Sequence, residues 1–154
     1  MSIVNALEIT REAAKGGYAV GAFNITSINQ MQGVVEAAIE KNAPLIIQAS
    51  VAPSKFVKPE VIVAVYRTLA NQAPVPICLH LDHCTEVEYC KKLADVGYTN
   101  IMIDASKQPF EENIRQTIDT IERLLKLDFD TIFCAHAGVI ENGKIRLEKK
   151  LNFL

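Results

Sequence analysis

The sequence predicts an α/β fold in which strands and helices alternate along a parallel sheet, and three observations carry that reading. Strand-like apolar runs and helix-like amphipathic stretches follow one another with a period of roughly 25 to 30 residues, the size of a βα unit. Prolines and glycines punctuate that alternation at the places where helices start and stop. Polar and ionisable residues collect at the C-terminal end of each strand, the edge at which parallel α/β folds place their sites.

In order along the chain, a helical pattern from Val4 to Lys15 ends at Gly16 and Gly17, which fit a helix C-cap, and a first strand covers Val20 to Asn24. Ser27 stands three residues before Gln30, a capping-box spacing, and opens a helix whose apolar positions Met31, Val34, Val35, Ala38 and Ile39 recur at three and four before Pro44. Leu45, Ile46 and Ile47 lead into Gln48, Ala49 and Ser50, a run that reads as a strand buried on both faces. Pro59 introduces a helix through Val61 to Ala70, and Pro76 precedes a strand from Ile77 to Asp82. Thr85 and Glu88 form a second capping-box pair, for a helix that Gly97 ends, and Asn100 to Asp104 reads as a fourth strand. Pro109, Glu111 and Glu112 begin a fourth main helix with acidic residues where the helix dipole favours them, and Thr131 to Cys134 reads as a fifth strand.

Composition bounds the function. The 154 residues are 49% hydrophobic and 22% charged, with a formal net charge of −2. A chain of this size buries roughly two thirds of its unfolded surface and needs no metal or disulfide to fold. Near-neutral charge with scattered Lys and Arg argues against a nucleic acid partner. No apolar run approaches the ~20 residues of a membrane span, and the N-terminal stretch with Glu8, Arg11 and Glu12 lacks the pattern of a secretory leader, so a cytoplasmic protein is expected. Cys78, Cys84, Cys90 and Cys134 lack zinc-ribbon or redox-pair spacing and read as reduced structural thiols.

Two architectures share the βα pattern. A doubly wound sheet fits this length, whereas a closed eight-stranded barrel typically takes ~250 residues. The strand ends favour the barrel: Asn24, then Gln48 and Ser50, then Asp82 and His83, then Asp104 and Ser106 place a polar group on four successive strands. An open sheet gathers its ligand at one switch point instead. The densest cluster runs from Leu79 to Cys84, where alternation sets His80 and Asp82 on one face and His83 at the strand exit. Imidazole and carboxylate there suit a zinc ligand beside a proton-transfer group. The competing reading keeps His80 as a core histidine with a backbone partner and Asp82–His83 as a loop pair. Glu86 and Glu88 read as helix-dipole residues, and Lys55 and Lys107 as solvated ones.

The segments Gly16 to Asn24, Ile46 to Ser50, Leu79 to Cys84, and Ile101 to Ser106 with Pro109 to Asn113 closely resemble, in order and from about residue 2 to about 120, the N-terminal half of class II, zinc-dependent fructose-bisphosphate aldolases and their tagatose-bisphosphate relatives. The resemblance implies a partial TIM (β/α)8 barrel of about four βα units, then a fifth strand and a terminal helix. It implies Zn2+ as cofactor, with His83 as a ligand and Asp104 at a second or alternative metal position. Asp82 would be the general acid/base on the aldehyde-side hydroxyl, and Asn24 and Ser50 would contact substrate. The implied reaction is reversible aldol cleavage of a sugar phosphate, a ketose bisphosphate such as fructose 1,6-bisphosphate, to dihydroxyacetone phosphate and glyceraldehyde 3-phosphate. Zinc would polarise the ketone in place of a Schiff-base lysine.

The family pattern continues with an acidic strand, two more histidine ligands and phosphate-binding loops, none of which stands after residue 121. The expected organisation is therefore an aldolase-like half barrel over 1–121 and a divergent strand-helix tail over 122–154 packed on the same domain. The run Leu124 to Gly138, followed by helix-like Arg146 to Leu154, resembles the C-terminal part of metallo-β-lactamase-fold hydrolases, where a late strand brings a metal-binding histidine before a glycine. Three functions stay open: the aldolase; a catalytically inactive truncated or recombined fragment that self-associates through open sheet edges as a homo-oligomer; and a metal hydrolase using His80, Asp82, His83 and His136.

Overall fold

A computed structural model describes residues 2–125, 132–134 and 138–140. The chain divides into two compact units, Met1–Ile103 and Asp104–Leu154. The first begins with α1 (Ala6–Gly16), where Asn5 caps by accepting the Glu8 N–H at 2.9 Å and Gly17 closes the C-terminus at φ 67°. There follow β1 (Gly21–Asn24), α2 (Ile28–Glu40), β2 (Leu45–Ser50), α3 (Val51–Val57), α4 (Pro59–Gln72), β3 (Ile77–Cys84), α5 (Val87–Val96) and β4 (Asn100–Ile103). The four strands form one parallel sheet in the order β1-β2-β3-β4, the order in which they occur in the chain. Strand after neighbouring strand, each reached through helix, is the geometry of a barrel wall.

The core lies on one face of that sheet. Leu45, Ile47 and Ala49 of β2 and Ile77, Leu79 and Leu81 of β3 point into it, and the buried faces of α2 (Met31, Val35), α4 (Ile62, Val63, Tyr66) and α5 (Cys90, Leu93) close over them. Tyr66 is buried within this apolar layer because its hydroxyl donates to the Ile77 carbonyl at 2.9 Å, and burial pushes its phenol up to about 12. Gly97 ends α5 at φ 121°, a backbone region that L side chains rarely adopt.

Several local expectations are corrected. Strand β2 is buried on alternate residues, Leu45, Ile47 and Ala49, and half-buried at Ile46, Gln48 and Ser50, because helices cover one face of the sheet. Ser27 does cap α2, accepting the Gln30 N–H at 3.3 Å, but the Gln30 side chain returns to the Thr26 N–H at 2.7 Å and not to Ser27. The pair Thr85 and Glu88 forms no capping box: α5 starts at Val87 with Glu86 as N-cap and no side-chain cap bond. The reason is that β3 runs on through Cys84, two residues past its expected end. Glu86 instead pairs with Lys55 at 2.6 Å, and the Lys55 ammonium lies 4.9 Å from the Tyr89 ring centroid. Cys78, Cys84 and Cys90 are free and buried thiols, as expected.

The second unit contains α6 (Phe110–Leu125), β5 (Ile132–Cys134) and β6 (Gly138–Ile140). Strand β5 pairs antiparallel with β6, in a two-stranded sheet of its own. The helix-like stretch from Arg146 to Leu154, and His136, lie outside the described residues.

Candidate active-site edge

Strand register sets the polar residues in rows on the sheet face opposite the helix-covered core. Asn24 stands opposite Gln48, Gln48 opposite His80, and His80 opposite Asn100, so one row crosses all four strands. One step nearer the C-terminal edge, Ser50 stands opposite Asp82. Below, Ala22, Ile46 and Cys78 form an apolar row. A parallel sheet in register necessarily aligns residues of like spacing, and here it converts scattered polar residues into a continuous surface.

Asp82 is the centre of that surface. Its Oδ2 accepts from Asn24 Nδ2 at 3.1 Å, and its Oδ1 lies 3.7 Å from His80 Nε2 and 3.9 Å from His83 Nε2. Its side chain is 14% exposed, whereas that of His83 is 59% exposed. A covered carboxylate with an open imidazole at its side can hold or accept a proton next to an accessible metal or substrate atom.

A register shift brings the two together. Between Leu81 and Cys84, β3 advances three residues while β4 advances two, from Ile101 to Ile103. The extra residue is a β-bulge, and His83 takes it up at φ 49°, in the left-handed region. With strict alternation residue 83 would join Leu79 and Leu81 on the core face; the bulge seats Cys84 there and leaves the imidazole outside beside Asp82.

His80 is buried, and its Nδ1 lies 2.6 Å from Asn100 Nδ2. Burial, foremost, and then the nearby His83 lower its pKa below the usual 6.5, with Asp82 acting in the opposite sense. The partner of this histidine is thus a side chain, not the backbone. Nothing in the sequence marked Asn100, because its relation to His80 is a matter of strand register.

The sequence-predicted residues Asn24, Ser50, Asp82 and His83 all belong to the first unit and to this edge. Asp104 follows β4 directly and opens the second unit, where its Oδ1 accepts the Ser106 N–H at 2.9 Å. Among the described residues no three of His, Cys, Asp and Glu converge to hold a metal ion. Catalytic zinc normally takes three protein ligands and a water, so the described residues do not make up a full shell.

Comparison with known proteins places these features. Residues 4–145 match the family described as "Fructose-bisphosphate aldolase class-II". The fructose-bisphosphate aldolase of Helicobacter pylori (strain ATCC 700392 / 26695) is 39% identical over 121 residues, covering 78% of this chain and 39% of that protein. The fructose-bisphosphate aldolase of Geobacillus stearothermophilus is 38% identical over 131 residues, covering 79% of this chain and 44% of that protein. The chain therefore spans 39% and 44% of the lengths of these two curated relatives. In structure it is similar to the YdjI aldolase from Escherichia coli K12, with a TM-score of 0.69 and 28% identity over 79% of this chain and 46% of that one.

Proposed function

The chain belongs to the class-II fructose-bisphosphate aldolase family, and from that premise we propose that its first unit carries the acid/base edge of an enzyme for reversible aldol cleavage of fructose 1,6-bisphosphate. The products would be dihydroxyacetone phosphate and glyceraldehyde 3-phosphate. In the cleavage direction a base takes the proton from the C4 hydroxyl, the C3–C4 bond breaks as the aldehyde carbonyl forms, and the bonding pair stays on the ketose half as an enediolate, which takes up a proton at the former C3 to become dihydroxyacetone phosphate. Asp82 is that base, and in the condensation direction it returns the proton.

The observation that supports this most is the setting of Asp82: a largely covered carboxylate, oriented by Asn24 at 3.1 Å, beside an exposed imidazole at the C-terminal edge of a parallel sheet. Asn24 and Ser50, on the strands beside it, serve as substrate contacts. His83 serves as one ligand of the zinc that the family implies. Asp104 keeps the second or alternative metal position on family resemblance alone. The described residues alone do not complete a metal shell.

The enzyme would work in the cytoplasm on a small sugar phosphate, without nucleic acid or membrane as partner. Among the described residues no helix is long and apolar enough to cross a membrane. Self-association is the second reading, favoured by β1, which is exposed along all four residues and carries Phe23 at 52% exposure. Sedimentation velocity tests it, and a monomer unchanged by concentration overturns it. The hydrolase reading has less support, since the aldolase match runs to residue 145 and so covers most of the segment that suggested it.

The deciding experiment is fructose 1,6-bisphosphate cleavage by the full chain with added zinc, with and without EDTA. Asp82→Asn should lower kcat by roughly 10²- to 10⁴-fold. Absence of turnover in the unaltered chain would sink the assignment for this protein.

A further inference from the structure

We propose that Asn100 is a positioning residue that acts on Asp82 through His80, by holding the imidazole in the tautomer whose proton lies on Nε2. The proposal rests on the reading of Asp82 as the acid/base group.

His80 and Asn100 are register partners on β3 and β4, and their side chains meet at 2.6 Å between Nδ1 and Nδ2. An amide nitrogen carries hydrogens and no usable lone pair, so it can bond only to a ring nitrogen that has none. Nδ1 is then the acceptor and the single ring proton sits on Nε2, which lies 3.7 Å from Asp82 Oδ1. That separation is too long for a direct hydrogen bond, yet the sign of the pole facing the carboxylate still counts in a covered site. An N–H pole attracts the carboxylate; a lone pair in the same place repels it. Turning the amide over would make the Asn100 oxygen demand Nδ1–H and would aim the Nε2 lone pair at Asp82. Burial of the ring, which disfavours its charged form, makes the choice between neutral tautomers the one that matters.

Asp82 is thereby addressed at both oxygens by groups from three strands. Asn24 on β1 donates to Oδ2, while His80 on β3, set by Asn100 on β4, turns a positive pole to Oδ1. The two oxygens become inequivalent, which fixes the face from which the carboxylate exchanges a proton.

The test is a long-range 1H–15N correlation spectrum of the metal-free full chain labelled at histidine, recorded near neutral pH, with His80→Gln supplying the assignment among three histidines. The expected spectrum shows His80 protonated at Nε2 and bare at Nδ1. Asn100→Asp, of nearly the same shape but an acceptor, should move the proton to Nδ1. Protonation at Nδ1 in the unaltered chain overturns the proposal without any variant, and so does an unchanged tautomer in a folded Asn100→Asp protein. In the cleavage assay the same variant should lose about tenfold or more in kcat with KM little altered. A fall in kcat with the tautomer unchanged also overturns it. If the unaltered chain does not turn over substrate, the functional assignment fails while the tautomer still decides the Asn100–His80 relation.

Discussion

Asn24 Nδ2 donates to Asp82 Oδ2 across 3.1 Å, joining β1 to β3 over the strand that separates them. On β2 between them, Gln48 is the register partner of Asn24 and Ser50 that of Asp82. The bond links two strands that share no ladder hydrogen bonds.

A double-mutant cycle of Asn24→Ala and Asp82→Ala, followed by urea unfolding, should give a coupling of about 1 kcal/mol, the size expected of a half-exposed hydrogen bond to a carboxylate. Additive single losses would mean that the bond does not persist in solution.

The lowered pKa of His80 makes stability depend on pH with a definite sign. The folded ring resists protonation while the unfolded one titrates near 6.5, so below that value the unfolded state binds more protons. Stability from this residue is complete above about pH 6.5 and is lost as pH falls through 6.5 toward the lower folded value. Melting temperatures of the unaltered chain and of His80→Gln, measured between about pH 8 and 5, should diverge in slope on the acid side, with the glutamine variant flatter. Parallel curves would remove His80 as the cause.

Lys58, between α3 and α4, has φ 76° and ψ 129°, a backbone conformation that favours glycine. Lys58→Gly should raise stability by about 1 kcal/mol in denaturant unfolding, since relief of strain exceeds the entropy glycine adds to the unfolded chain. A loss of stability would show that the lysine side chain holds the α3–α4 junction.

His83 is the exposed imidazole of the edge, with its side chain 59% exposed. If it is a metal ligand, the full chain dialysed after zinc loading should retain less zinc as His83→Ala than unaltered, as read by elemental analysis. Equal retention would assign the metal to other residues.

Much of the fold is legible because its punctuation is local. Leu45 to Ser50 is the observed β2, Ser27 caps α2, and Gly97 ends α5, each through chemistry carried by one or two residues. Helix α3 is not legible in the sequence: seven residues, with no side-chain bond at its N-cap, leave no periodic trace. The start of α5 differs from its sequence signal because Thr85 and Glu88 have the spacing of a cap without the strand ending where a cap needs it. Within the candidate site, Asn24, Ser50, Asp82 and His83 stood out as polar ends of apolar runs. Asn100 did not, since no spacing within one segment reveals which residue of the next strand will lie beside His80.

The extra residue in β3 carries a further consequence. Where a ladder is regular, the identity of each side chain determines what a face offers, and substitution is the way to change it. Between Leu81 and Cys84 the number of residues does that instead. The two residues that span that interval are Asp82 and His83 themselves, so shortening the strand there to restore the ladder would cost the edge its carboxylate or its imidazole. The edge is thus more tolerant of altered letters around its histidine than of an altered count.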